Sequence, residues 1–497
     1  MKFKKQNTRK MTAGKAILLA LFAASFFLEP LSTSAASKPV MVHYMPWFVA
    51  RPYSANWGWH WTMNHFNPES INPSGEREIA SWYYPLVGPY DSADPAVLEY
   101  HVLLMKLAGI DGVIVDWYGM DNYLDYGVNN QRTAALFKFT CRAGLKFSLC
   151  YEDRTIQQEI SGGFITAAGA IGHAQQTMLY VQTNYFTDSS YLRRSNQPVL
   201  LNFGPQYFKT NGQWTTIFSV LNATNQPAFF TIDNRVIGGI GAFNWPPMYL
   251  SQSTGGILTT QALDGYLATF QQKANTWPAS ISSAFARFQD IYAQAGVGSS
   301  YGTLPDNNGG HLRSTLSRAM TNNSALVQIV TWNDFGEGTI VEPTKQYGYR
   351  DLGIIQDMRR QYLEAGFTRT TNDLPLATRF YTLRRLHATN AIISAELDRV
   401  FTNIVSGNLA TASLQLTGVE SNVPAVYNLS AAGGVLQFSI GGYLSASGVQ
   451  IQSTSNLSQT VWATAASFPA TTNLMQFSAP ISTQGAPAFF RVRTTVP

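Results

Sequence analysis

Residues 326–343 read "LVQIVTWNDFGEGTIVEP": an unbroken apolar run, an aromatic, then two acids three residues apart, Asp334 and Glu337. Two carboxylates in one site can divide proton transfer between them when their surroundings push their proton affinities apart. On a straight strand, side chains three residues apart face opposite ways. Gly336 permits a turn that brings both to one cleft. The plain alternative is an Asx turn at Asp334 with Glu337 merely solvated. The other acids along the chain, and the elements that carry them, favour chemistry.

Eight apolar runs read as buried strands: "VMVHYM", "IDGVIVDWY", "LKFSLCYED", "PVLLNFG", "PAFFTID", "GIGAF", "ARFQDIYA" and "LVQIVTW". Continuous rather than alternating hydrophobicity suits parallel strands covered by helices. Helical patterns lie between several of them. "DPAVLEYHVLLMKLAG" has Asp94 as cap, Pro95 in its first turn and Gly109 as stop, and "NQRTAALFKFTCRAG" ends similarly at Gly144. About eight alternations of strand and helix predict an α/β fold, a (β/α)8 TIM-type barrel.

Such a barrel carries its functional groups just after the C-terminal ends of its strands. Those ends hold His43 and Tyr44, Asp116, Glu152 and Asp153, Asn202, Asp233, and finally Asp334 with Glu337. The first strand-to-helix connection is long, from about Pro46 to Ala93, and carries Trp47, Trp57, Trp59, His60, Trp61, Trp82, Tyr83 and Tyr84. Long barrel loops are usually functional. Aromatic faces with Asn, His and Asp suit a sugar-binding cleft, where C–H faces stack on rings and hydroxyls take directed hydrogen bonds. For some of the tryptophans the alternative is a cluster that only packs the loop.

Beyond the barrel, residues 374–405 read as one long helix. Composition then shifts: from Asn408 to Pro497 the only charged residues are Glu420, Arg491 and Arg493, among short alternating runs such as "VLQFSI" and "FFRVR". This predicts a small all-β C-terminal domain, sandwich-like, over residues 406–497. The expected division is residues 1–36, then the barrel over 37–370, a helical extension over 371–405, and the β module.

The first 36 residues read as a secretory leader, with a basic start, the apolar "AILLALFAASFFL" and small residues for cleavage after Ala36. The expected location is therefore secreted or periplasmic. The leader's six basic residues and single acid match the chain's whole net charge of +5. The basicity thus argues for no nucleic-acid partner, and no basic patch interleaved with aromatics is present. No later stretch is apolar enough for a membrane span. Cys141 and Cys150 are able to pair in an oxidising compartment; the favoured reading is two small buried side chains. No metal or nucleotide motif stands in the chain, so no cofactor and no metal is expected. The sequence leaves oligomeric state open.

"TWNDFGEGTIVEP" resembles the strand-eight segment of glycoside hydrolase families 71 and 99. The "WND-aromatic-GE" core with Asp334 is similar to the α-1,3-glucanases of family 71, and "EGT" followed by Glu342 is similar to the endo-α-mannosidases of family 99. "VHYMPWF", "GPYDSADPAVLEYHVLLMKLAGIDGVIVDWYG" and "CYEDR" extend the family 99 likeness over roughly residues 39 to 365. The resemblance implies a glycosidase acting on α-mannan or α-glucan, with Glu337 at the general-acid position and Asp334 at the base position. Family 99 has a glutamate in that base position, and the likeness to it implies deprotonation of the sugar 2-hydroxyl and retention. In family 71 the shorter aspartate implies water attack with inversion.

Glu152, or else Asp153, is expected to reach the cleft; the alternative is an ion pair with Arg154. Asp116 either hydrogen-bonds sugar hydroxyls or orients a neighbour. Tyr44, Trp47, His60, Trp117, Asn202, Trp332 and Glu342 complete the candidate carbohydrate contacts. A second reading of the whole chain is a non-catalytic glycan-binding or cell-envelope protein on a related barrel.

Overall fold

The structure is a computed structural model that describes residues 38–210, 212–421, 425–432, 434–441, 448–458, 461–469, 475–480 and 488–495. The leader expected over residues 1–36 lies outside the described residues.

Eight parallel strands form the barrel, and the short strand Arg193–Arg194 adds an antiparallel ninth to the same sheet. The eight are β1 Val40–Tyr44, β2 Gly112–Trp117, β3 Lys146–Tyr151, β4 Gln197–Asn202, β5 Ala228–Ile232, β6 Gly241–Phe243, β7 Ile281–Phe285 and β8 Leu326–Val330. Each is parallel to its sequence neighbour, and β1 pairs with both β2 and β8, so the sheet closes into a barrel. Every residue of β1, β2 and β8 is buried, because one face fills the barrel and the other lies under helices.

The two-residue period of a strand divides those faces. Met41, Ile114, Cys150, Leu201 and Phe230 meet in one cluster, while Val42, Tyr44, Val113, Val115 and Trp117 belong to the larger cluster shared with the surrounding helices. Two residues beyond Met41, Ile114 and Cys150 stand His43, Asp116 and Glu152. The inner face therefore changes from apolar to titratable toward the C-terminal mouth.

The helix Pro95–Ala108 forms as its sequence signals require. Asp94 accepts a hydrogen bond from Ala96 N, and Gly109 ends the helix at φ 77°. Two barrel elements differ from expectation. The seventh strand is "ISSAF" rather than "ARFQDIYA". Its serines are buried in a polar lattice in which Ser283 N donates to Asn244 Oδ1 at 2.9 Å and Gln328 Nε2 donates to Ser283 Oγ at 3.1 Å. That strand lacks an apolar signature. The segment read as a strand instead supplies Phe288–Gln289, which pairs antiparallel with Thr303–Leu304, and the short helix Tyr292–Ala295. The second difference is the β5–β6 connection, residues 233–240, which contains no helix. Strand and helix therefore do not alternate fully.

The single long helix expected over residues 374–405 is two helices, Pro375–Leu386 and Ala391–Val405. Asn390 starts the second by accepting from the backbone N–H groups of Ile392 and Ile393. The expected β module also begins too early. Leu409–Glu420 is a third helix, which buries Ala412, Leu416 and Val419 in the barrel's outer core. Its charge-poor composition disguised an apolar face of helical spacing. Strands begin at Ala425. They form two antiparallel three-stranded sheets, Ala425–Ala432, Val435–Gly441 and Met475–Pro480, and Ala463–Pro469, Gly448–Thr454 and Phe489–Thr495. Phe438, Ile440, Phe477 and Met475 of the first sheet pack with Val449 and Ile451 of the second. No helix among the described residues is long and apolar enough to cross a membrane.

Candidate active site

After β8 the chain turns sharply, and backbone donors fix the turn. Asp334 N donates to Thr331 Oγ1 at 2.9 Å, Glu337 N to Asp334 Oδ1 at 3.0 Å, and Gly338 N to Asp334 O at 2.9 Å. The glycine the turn requires is Gly338, at φ 67°, where an added Cβ would lie 2.7 Å from Gln289 O. Gly336, expected to serve this purpose, does not have a positive φ. The segment after β7 clamps the turn: Gln289 N donates to Glu337 O at 2.8 Å and Ile291 N to Gly336 O at 3.0 Å.

Asn333 ties the turn to the end of β1. Its Oδ1 accepts from Met45 N at 2.8 Å, and its Nδ2 donates to Met45 O at 2.9 Å and to Tyr90 Oη at 3.1 Å. Tyr90 donates to Glu342 Oε2 at 2.7 Å, and His101 stands 3.2 Å from Glu342 Oε1 and 3.0 Å from the Tyr44 hydroxyl. This buried chain holds the strand ends in register.

A cavity of about 250 Å³ opens at this mouth. Its acids are Asp116, Glu152, Asp334 and Glu337, one or two from each of three strand ends. His43, Trp47, Tyr118, Trp245 and Tyr292 supply rings, and Arg154 is its basic group. His60 stacks on Trp47 with centroids 4.2 Å apart and planes 6° from parallel.

Electrostatics separates the acids. Burial pushes Glu337 well above the usual carboxylate range, and the charges of Asp334, Asp290 and Glu152 add to this, against a hydrogen bond from Tyr292. Burial also raises Asp334, to about 6, but the backbone N–H groups of Glu337 and Gly336 stabilise its charge. Glu152 is pushed up to about 7 by burial, with Arg154 opposing. Asp116 is held well above its normal value by burial and by the charges of Glu152, Asp334 and Glu337. Burial lowers His43 to about 4, so its imidazole is neutral at pH 7. Glu337 is thus the proton holder of the strand-eight pair, and Asp334 ionises more readily.

Several expected sugar contacts lie elsewhere. Tyr44 and Trp117 point outward, as strand alternation dictates, and Trp117 Nε1 donates to Asn130 Oδ1 at 3.1 Å. Trp332 is fully buried in the outer core. Glu342 is occupied by Tyr90 and His101. Asn202 is fully buried beneath the mouth, its Nδ2 donating to Asp153 Oδ1 at 3.2 Å. Asp153 also accepts from Gln206, Tyr207 and Phe208, which leaves Glu152 as the cleft acid of "CYED". Tyr118, Trp245 and Tyr292 line the cavity without having been singled out. Tyr292 lies in the segment misread as strand seven. Trp245 lies two residues beyond the three-residue β6, where a strand-end rule would have found it.

Among the described residues, two groups of potential metal ligands each bring their donor atoms within 4.8 Å of one another: His43, Asp116 and Cys150, and Asp121, Glu159 and His173. Cys141 and Cys150 are free thiols.

No protein-family model matches the chain. A short stretch is similar to glycoprotein endo-alpha-1,2-mannosidase-like protein of Danio rerio, 31% identical over 88 residues, 16% of this chain and 20% of the relative. Another match is glycoprotein endo-alpha-1,2-mannosidase of Mus musculus, 34% identical over 77 residues, 14% of this chain and 17% of the relative. The chain thus spans a fifth or less of the length of these curated relatives. Among solved structures, a GH99 endo-alpha-mannosidase from Bacteroides thetaiotaomicron aligns at 17% identity with TM-score 0.48, over 65% of this chain and 97% of that one. A glycoside hydrolase-like protein aligns at 14% identity with TM-score 0.48, over 66% of this chain and 96% of that one.

Proposed function

We propose that the protein is a glycoside hydrolase that cleaves α-linked mannan or glucan, with Glu337 as general acid and Asp334 as base. The observation that carries this reading is one buried cavity holding both strand-eight carboxylates, with Glu337 favoured in its protonated form and Asp334 the readier to ionise. Hydrolysis of a glycosidic bond needs that division: a proton for the departing oxygen and a carboxylate for the attacker. The sequence likeness to the endo-mannosidases supports the substrate class.

Glu337 protonates the glycosidic oxygen as the C–O bond breaks. Tyr292, whose hydroxyl is 3.5 Å from Glu337 Oε1, orients that carboxyl. Asp334 takes the proton of the attacking hydroxyl while its Oδ1 stays held by Glu337 N. The short aspartate leaves room for a water between it and the anomeric carbon, which favours inversion. A cavity of about 250 Å³ is smaller than the roughly 300–1,000 Å³ typical of drug-sized ligand pockets. It suits one sugar ring, with the rest of the chain outside. Trp47, Tyr118 and Trp245 offer the faces on which that ring stacks.

Incubation with yeast α-mannan, α-1,3-glucan and α-1,4-glucan, followed by product chromatography, tests the activity. Proton NMR of the first product decides the stereochemistry: inversion supports water attack, retention supports attack by the substrate's own 2-hydroxyl. Absence of products from all three polymers counts against the reading. Export through the leader belongs to the same proposal, and retention of Met1 in exported protein contradicts it.

A further inference from the structure

We propose that Asp121, Glu159 and His173 form a binding site for a zinc-class divalent cation on the barrel rim, separate from the acid cavity. The three residues come from different elements. Asp121 follows β2, Glu159 lies in the helix Arg154–Ser161, and His173 lies in the helix Ala170–Val181. No sequence motif links them, which is why the chain alone predicts no metal.

Their donor atoms converge. His173 Nε2 is 2.9 Å from Asp121 Oδ2 and 3.5 Å from Glu159 Oε2, and all three atoms lie within 4.8 Å of one another. A tetrahedral zinc with nitrogen and oxygen ligands at about 2.0–2.1 Å has ligand-to-ligand edges of roughly 3.3–3.4 Å, and the two measured edges bracket that value. One imidazole with two carboxylates is a donor set suited to zinc rather than to calcium, which prefers six or more oxygens.

A second observation points to a ligand. Glu159 is 1% exposed, and among the described residues its Oε2 has no hydrogen-bond partner. A protonated His173 can balance one carboxylate, and its nearer contact is Asp121. The buried Glu159 Oε2 is then left with only the longer 3.5 Å approach of His173 Nε2 and, among the described residues, no hydrogen bond. A divalent cation on Nε2 balances both acids at once. Access exists, because the side chains of His173 and Asp121 are 17% and 14% exposed.

The site would fasten the loop after β2 to two helices. That loop carries Tyr123, and Tyr126 opens the helix after it; their hydroxyls donate to Gln158 O and Oε1. It leads from Tyr118, a wall of the acid cavity, to Asp125, which stands 3.6 Å from His60 Nε2. The expected role is structural stiffening of one cavity wall.

The test is calorimetric titration of untagged, chelator-stripped full-length protein with zinc chloride, with thermal melts at several zinc concentrations. The proposal expects one equivalent bound and a melting temperature that rises with free zinc. Glu159→Gln and Asp121→Asn, both near-isosteric, should each weaken zinc by more than the about 10–100-fold that loss of an outer-shell partner costs. His173→Ala should abolish binding, and circular dichroism checks that each variant folds. Absence of one-to-one binding by the parent protein overturns the site, as does unchanged zinc affinity in the folded Glu159→Gln and Asp121→Asn variants.

Discussion

Glu337 donates its backbone N–H to Asp334 Oδ1 at 3.0 Å, so each residue of the strand-eight pair fixes the other's state. The bond favours the Asp334 anion, and that anion in turn favours a proton on Glu337. The Asx turn considered as the bland alternative is therefore present, and it is part of the arrangement that sets the two proton affinities apart.

Stability should fall as pH rises across the weakly acidic range. The folded values of Asp334, Glu152, Asp116 and Glu337 are all raised, so their protonated forms favour the fold. This contribution is fully present below the unfolded values near 4 and is lost as pH passes about 6 for Asp334 and about 7 for Glu152. For Asp334 alone the shift corresponds to at most roughly 3 kcal/mol. Chemical denaturation from pH 4 to 8 should show the decline, and Asp334→Asn should flatten it. A parent protein most stable at pH 8 would refute the electrostatic account.

Glu342→Ala should destabilise the fold by about 3–5 kcal/mol, because it strands the buried Tyr90 hydroxyl and His101. Urea denaturation measures this. If Glu342 were instead a sugar contact, stability would hold and KM alone would rise.

Truncation after Ser421 should leave a cooperatively melting barrel. Truncation after Ile404 removes Ala412, Leu416 and Val419 from the outer core and should cost on the order of 5 kcal/mol. Equal melting temperatures for the two truncations would show that the third helix contributes nothing to the barrel.

The barrel was legible because its buried parallel strands leave long apolar runs, and the helix at Pro95 because its cap, proline and stop are local signals. β7 was not, since its serines find their partners, Asn244, Gln328 and Asn322, only in three dimensions. Asp116, Glu152, Asp334 and Glu337 could be read from strand ends. Tyr44 and Trp117 fall outside the cavity because residue type at a strand end does not tell which face a side chain takes, whereas Glu342, named from the family resemblance and well beyond the end of β8, is taken up by Tyr90 and His101. Counting from Met41 by twos selects His43 over Tyr44, and the same count from Ile114 selects Asp116 over Trp117. The metal-ligand triad had no local signal, because three separate elements assemble it.

Tyr292→Phe should lower turnover less than loss of Glu337 does, since it removes one orienting contact 3.5 Å away and no proton. The expected drop is about tenfold or less, with stability changed by no more than roughly 0.5 kcal/mol. Steady-state kinetics that show a loss equal to that of Glu337→Gln would place the proton donor on Tyr292.

Turnover of Glu337→Gln on a polysaccharide that the parent protein cleaves tests the central claim most directly. Glutamine keeps the shape and cannot supply an acidic proton. General-acid help is typically worth ~10²–10⁴-fold, so the account predicts a loss of that size or more, with a melting temperature at pH 7 no lower than the parent's. Turnover within a few-fold of the parent would contradict it and move the acid to another carboxyl of the cavity, Glu152 first.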